Sequence, residues 1–272
     1  MQVNVFSPDP FLGNPVAVVL DGADLSAEQM QQVATWANLS ETTFVLPPTE
    51  PGADYHVRIF TPVAELPFAG HPTLGTAHAF LTASGSAQAS VVQQCAAGLV
   101  RVRRAKAGLA FAAPPLTRSG PLEPPVLEAL LGLLELERED VLDAAWADNG
   151  PGWAALLLRS AERVLAVRPR PPGALDLKVG VVGAYPAGAG PAYEVRAFFP
   201  KHGVMTEDPV TGSLNASVAQ WLVGTGRFQP PYMVSQGTAL GRAGQVHIEG
   251  DDEGGIWVGG ATMTVITGSV QI

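Results

Sequence analysis

Apolar residues in this chain fall mostly into short runs broken by Gly/Pro turns, and only a few stretches keep the three-to-four-residue spacing of a helix. Residues 3–6 and 16–20 read as strands on either side of the turn from Ser7 to Pro15. Ser26-x-x-Gln29 forms a capping box ahead of Met30, Val33, Ala34 and Ala37, which share one helical face. Strands are predicted from Thr42 to Leu46 and from Tyr55 to Phe60. Pro72 then opens a helix to about Thr82, since a proline lacks the N–H that the first turn leaves unpaired anyway. Strands at 89–95, 98–104 and 108–112 follow. The stretch 113–125 is Pro-rich and without period, as an interdomain linker is. Beyond it the pattern predicts a helix near 126–135, strands near 142–146, 153–158, 164–167, 178–184 and 192–198, a helix from Pro209 to about Val223, and strands after Tyr232. Strands outnumber helices and come in runs, which argues for an α+β fold with mixed or antiparallel sheets.

The second half echoes the first. Arg58-x-Phe60-x-Pro62 precedes Pro72-x-x-Gly75-Thr76, and Arg196-x-Phe198-x-Pro200 precedes Pro209-x-x-Gly212-Ser213, at about half the chain length. Two similar halves are expected, 1–115 and 116–272, with the last strand able to pack back on the first half. The segments after Pro72 and Pro209 are small or apolar almost all round, so each half is expected to wrap its sheet around a buried helix. The residue before each proline is titratable, His71 in one copy and Asp208 in the other. If the halves face each other, two helix starts meet at one cleft, where unpaired N–H groups and the positive dipole end would hold an anionic substrate.

Charge and composition narrow the options. A formal charge of -9 and a basic cluster no longer than Arg101-Val102-Arg103-Arg104 give no nucleic-acid footprint. No apolar run approaches the roughly 18 residues of a membrane span, and the start of the chain lacks a basic leader, so a cytoplasmic protein is expected. Cys95 is the single cysteine, which excludes an internal disulfide and any two-thiol chemistry. His56, His71, His78, His202 and His247 have no metal-ligand spacing, and no metal or cofactor is expected.

Four stretches hold candidate chemistry: Gly13-Asn14-Pro15, Ser40-Glu41-Thr42, Phe68-Ala69-Gly70-His71-Pro72-Thr73 and Glu207-Asp208-Pro209-Val210-Thr211-Gly212-Ser213. In this order, with Gln236-Gly237, Gly241-Arg242 and Val258-Gly259-Gly260 behind them, they resemble the PhzF family of phenazine-biosynthesis-like proteins. The resemblance covers essentially the whole chain. It implies a diaminopimelate epimerase-like fold, a homodimer, and a cofactor-independent isomerase or epimerase that moves a proton on a small carboxylate-bearing metabolite. It makes Glu41 the general acid/base and assigns substrate contacts to Ser40, Gly70, His71, Thr73, Asp208, Gly212 and Ser213. Glu41 at a strand entrance can equally be a solvated carboxylate, Asp208 before Pro209 can equally be a helix N-cap, and Asn14 before a proline can equally be a turn residue or line the cleft. His78, two turns beyond His71, is expected in the core.

Lys201-His202 and Asn215 depart from the family pattern where substrate choice could be set. A two-thiol racemase on the same fold is excluded by the lone cysteine. A catalytically silent small-molecule binder on the same fold is the remaining alternative, because a fold can host unrelated functions.

Overall fold

The computed structural model of the protein describes residues 1–271, which form two compact units. Unit 1 comprises Met1–Ala112 together with the chain from Trp257 onward, and unit 2 is the continuous stretch Ala113–Ile256.

Unit 1 opens with β1 (Gln2–Val5) and β2 (Asn14–Val19), then α1 (Ala27–Ala37), β3 (Glu41–Leu46), β4 (Tyr55–Phe60), the two-residue β5 (Glu65–Leu66), α2 (Gly70–Ser84), β6 (Ser90–Cys95), β7 (Gly98–Ala105) and β8 (Gly108–Ala112). Neighbours joined by a short turn pair antiparallel, whereas β2–β3 and β4–β6 pair parallel because α1 and α2 carry the chain back between them. The expected capping box is formed: Ser26 and Gln29 exchange hydrogen bonds, and Met30 and Ala34 bury the inner face of α1 against Phe44 and Phe60.

Unit 2 repeats this order after an added strand and helix. It contains β9 (Arg118–Pro121), α3 (Pro124–Leu134), β10 (Val141–Asp148), β11 (Trp153–Leu158), α4 (Ala161–Ala166), β12 (Lys178–Ala184), β13 (Tyr193–Lys201), β14 (Val204–Asp208), α5 (Gly212–Gly224), β15 (Tyr232–Gln236) and β16 (Gly244–Gly250). The parallel pairs are again those bridged by a helix, β11–β12 over α4 and β13–β15 over α5. Leucines of α3 pack with Trp146, Leu156, Val181 and Phe198 in the core of this unit.

The chain then returns to unit 1. β17 (Ile256–Gly260) pairs with β8, and β18 (Thr262–Ile266) pairs with β1, so both ends of the unit 1 ladder meet in strands separated by Ala261 alone. The ladder therefore closes round α2, which touches β1, β2, β3, β6, β8 and β18. Gly75 makes this enclosure possible, because a Cβ there would lie 2.3 Å from Val16 Cγ1. The α+β class and the sheet wrapped around a buried helix are as expected.

Several expectations are corrected. Residues 164–167 fall mostly in a helix, since Ser160 caps the Arg163 N–H and starts α4 instead of a strand. The Pro-rich stretch contains β9, an edge strand on β10 that tolerates proline at its exposed end. α2 begins at Gly70, two residues before Pro72, and proline fits there because the first turn needs no donor from it. α5 begins three residues after Pro209, at Gly212. Asp208 therefore ends a strand and is not the N-cap, a place taken by Thr211. His78 is only partly buried; its ring is pinned between Thr262 and Thr264 of β18.

Candidate active site

The Arg-x-Phe echo has a structural origin. Arg58 on β4 and Arg196 on β13 each grip a glutamate on the short return strand, Glu65 and Glu207, through two hydrogen bonds. Phe60 lies opposite Glu65 and Phe198 opposite Glu207, and each guanidinium also covers its phenylalanine. This hairpin delivers the chain to the start of the buried helix in both units. The proline echo, by contrast, is out of register: Pro72 lies inside its helix and Pro209 outside. By helix position His71 corresponds to Ser213 and Gly70 to Gly212, whereas Asp208 has no titratable counterpart.

In unit 1 the helix start is surrounded by strand starts. β2 and β3 are parallel neighbours, so their first residues, Asn14 and Glu41, emerge on the same edge of the sheet. α2 begins at that edge and places His71 in its first turn. His71 Nε2 is 3.2 Å from Glu41 Oε2, and Asn14 Nδ2 is 3.3 Å from His71 Nδ1. The side chains of His71 and Glu41 are 4% and 15% exposed, leaving the carboxylate the more reachable of the two. Gly13 is required here, since a Cβ would lie 2.1 Å from the Val5 carbonyl oxygen.

Burial pushes the His71 imidazole down to about 3, against a smaller opposing contribution from a backbone hydrogen bond with Pro15. The ring is neutral at ordinary pH. With the Asn14 amide donating to Nδ1, the proton of the neutral ring sits on Nε2. His71 Nε2 and Glu41 Oε2 are in contact without a hydrogen bond between them.

Thr73 is fully buried, donating to the Ala69 carbonyl and accepting from Gln93 Nε2, both at 2.9 Å; Gln93 in turn accepts from the Tyr55 hydroxyl. Ser40 immediately precedes Glu41 and is partly exposed. In unit 2 the residue that opens the strand corresponding to β3 is Lys178, so the carboxylate exists in one copy only.

The start of α5 is also a hydrogen-bonded assembly. Ser213 Oγ accepts from Trp153 Nε1 at 3.1 Å and the Ser213 carbonyl from Asn149 Nδ2 at 2.9 Å. Asp208 Oδ2 accepts from the Thr211 hydroxyl at 2.7 Å, and Gln236 and Asn215 hold the Thr211 backbone. Lys201 and His202 belong to the tight turn between β13 and β14, where His202 and Gly203 both have positive φ. Sequence reasoning missed Gln93 and quoted Thr211 and Gln236 only within motifs, without a role. The available signal was a polar side chain at an inward strand position, as with Gln236 two residues after the buried Val234.

Among the described residues no group of three or more His, Cys, Asp or Glu side chains is placed to hold a metal ion, and no helix is long and apolar enough to cross a membrane.

Comparison with known proteins gives a consistent result. A trans-2,3-dihydro-3-hydroxyanthranilate isomerase from Pseudomonas aeruginosa is 34% identical over 259 residues, covering 93% of this chain and 90% of the relative. The protein named antisense-enhancing sequence 1 from Schizosaccharomyces pombe is 34% identical over 288 residues, covering 98% and 96%. Among solved structures, a PhzF-family phenazine biosynthesis protein from Enterococcus faecalis superposes with a TM-score of 0.77 at 26% identity, covering 96% of this chain and 94% of that one. The family model for phenazine biosynthesis-like proteins, PhzC-PhzF, matches residues 3–268, and the chain belongs to that family.

Proposed function

We propose that this protein is an isomerase that moves a proton between carbons of a small, carboxylate-bearing metabolite without a cofactor, with Glu41 as the general base and acid. The observation that carries the proposal is the contact of Glu41 with a buried, neutral His71 at 3.2 Å. Glu41 takes a proton from a substrate carbon, the C–H electron pair moves into the adjacent π system, and the same carboxyl group returns the proton to another carbon. Because the histidine stays neutral, it does not hold the carboxylate permanently as an ion pair. Asn14 Nδ2, 3.3 Å from its Nδ1, fixes the ring. General acid–base catalysis of this kind contributes about 10²–10⁴-fold.

The rest of each helix start serves binding. Ala69 supplies no side-chain cap to α2, which leaves the first-turn N–H groups of Gly70 and His71 for an anionic group of the ligand. Asp208, Gly212 and Ser213, around the start of α5, are proposed as substrate contacts, Asp208 through a hydroxyl or ammonium group. The relatives named as isomerases of trans-2,3-dihydro-3-hydroxyanthranilate make that compound the first substrate to test.

Deuterium incorporation from heavy water into that compound, followed by mass spectrometry, tests the reading. Glu41→Gln keeps the size and polarity of the side chain but removes the proton carrier, so exchange is expected to fall by at least ~10² while binding persists. Undiminished exchange in Glu41→Gln would remove it as the base. Ligand binding by the parent protein with no exchange would favour a silent binding protein.

A further inference from the structure

Asp208 is held by an arrangement that its own sequence neighbourhood does not reveal. The Thr211 hydroxyl donates to Asp208 Oδ2 at 2.7 Å and lies 3.0 Å from Gln236 Nε2. Gln236, on β15, is fully buried, and its side chain is saturated. Its Oε1 accepts from the Thr211 N–H at 3.0 Å and from Asn215 Nδ2 at 2.7 Å, while its Nε2 donates to Thr211 Oγ1 and, at 3.2 Å, to the Asp208 carbonyl. The Thr211 N–H can only donate, so it fixes which end of the amide is oxygen. Nε2 must then donate to the Thr211 hydroxyl, and the single hydroxyl proton is left to point at Asp208.

Two glycines bring the backbones close enough for this. A Cβ on Gly237 would lie 2.7 Å from the Pro209 carbonyl oxygen, and one on Gly244 would lie 2.5 Å from Val210 Cγ2. β15 and β16 thus clamp the segment between Asp208 and α5.

We propose that Gln236 is a positioning residue that sets the direction of the Thr211 hydroxyl proton, and through it the orientation and ionisation of Asp208, for binding a hydroxyl or ammonium group of the substrate. The substrate role rests on the reading of Asp208 given above; the positioning does not.

The test uses the full-length protein and the side-chain carboxyl ¹³C resonance of Asp208, titrated without ligand. Glu207, bound to Arg196, provides an internal control. Gln236→Leu and Thr211→Val are each expected to raise the Asp208 midpoint by about one pH unit, because a hydrogen bond to the ionised form is lost. Thr211→Ser is expected to keep the parent value. With trans-2,3-dihydro-3-hydroxyanthranilate as the kinetic probe, Gln236→Leu is expected to raise KM about tenfold with kcat little changed. Should Gln236→Leu fail to fold, Gln236→Asn shortens the amide out of reach of Thr211 and carries the same expectation. An unchanged Asp208 midpoint in a folded Gln236 variant overturns the positioning, whatever happens to activity. A shifted midpoint in the Gln236 variants, with full turnover in Asp208→Ala, upholds the positioning and removes Asp208 from substrate binding.

Discussion

The two Arg–Glu grips invite a paired stability measurement, because one motif sits in two environments. Arg196 and Glu207 are 6% and 8% exposed, whereas Arg58 and Glu65 are 24% and 38% exposed. Arg196 does more than pair with its glutamate: Nη1 also donates to the Val164, Leu165 and Val167 carbonyls at 3.2, 3.4 and 2.8 Å, which closes the end of α4. Arg196→Met keeps the aliphatic stem but leaves a buried carboxylate without its cation and removes the side-chain donor from those carbonyls. Breaking a buried pair from one side costs about 3–5 kcal/mol. Arg58→Met breaks a solvent-screened pair, worth about 1 kcal/mol or less. Urea unfolding followed by tryptophan fluorescence and by far-UV circular dichroism would report both, with Trp146, Trp153 and Trp221 in unit 2 and Trp36 and Trp257 in unit 1. Arg196→Met/Glu207→Leu should recover part of the loss, because no charge is then left buried unpaired. Equal destabilisation by Arg58→Met and Arg196→Met would refute the argument that burial and the α4 carbonyls separate the two copies.

Two further outcomes follow from the unit 1 site. The His71 imidazole titrates lower in the folded protein than the 6.5 of an unperturbed histidine, at about 3, so its contribution to stability is fully present above pH 6.5 and is lost as pH falls toward 3; histidine-resolved NMR should show no His71 protonation between pH 5 and 8, and a midpoint within that range would contradict its burial as the controlling factor. Gly75→Ala should destabilise by about 1–3 kcal/mol through overpacking against Val16, read as a lower unfolding temperature, and a neutral effect would mean that α2 and β2 can separate without cost.

Much of the architecture was legible because its physical signals are local. Ser26 and Gln29 announce α1 by their side-chain chemistry, and the small residues from Gly70 to Ala79 announce a helix with no solvent face. Glu41, His71 and Asn14 were each suspected, yet their meeting depends on β2 and β3 being parallel neighbours, which spacing along the chain does not encode. The boundaries of α2 and α5 misled for a related reason. Proline is compatible with several positions at a helix start, so aligning Pro72 with Pro209 matched residue type and not helical register. α4 was misassigned because a six-residue helix offers too few turns to display its period. Gln236 was quoted only as part of a pattern; its importance comes from four hydrogen bonds to residues at least 21 positions away.

The return of β17 and β18 to unit 1 has a consequence for how the protein is made. Synthesis runs from the N-terminus, and domains generally fold as units as they emerge. Unit 2 is a continuous stretch and has every strand it needs once residue 256 has left the ribosome. Unit 1 begins first but must wait, with the open edges of β1 and β8 unpaired, until residues 256–266 arrive to cover them. The unit that bears Glu41 therefore becomes complete only after the whole of unit 2 has been made, and the carboxylate acquires its closed surroundings later than unit 2 acquires its core.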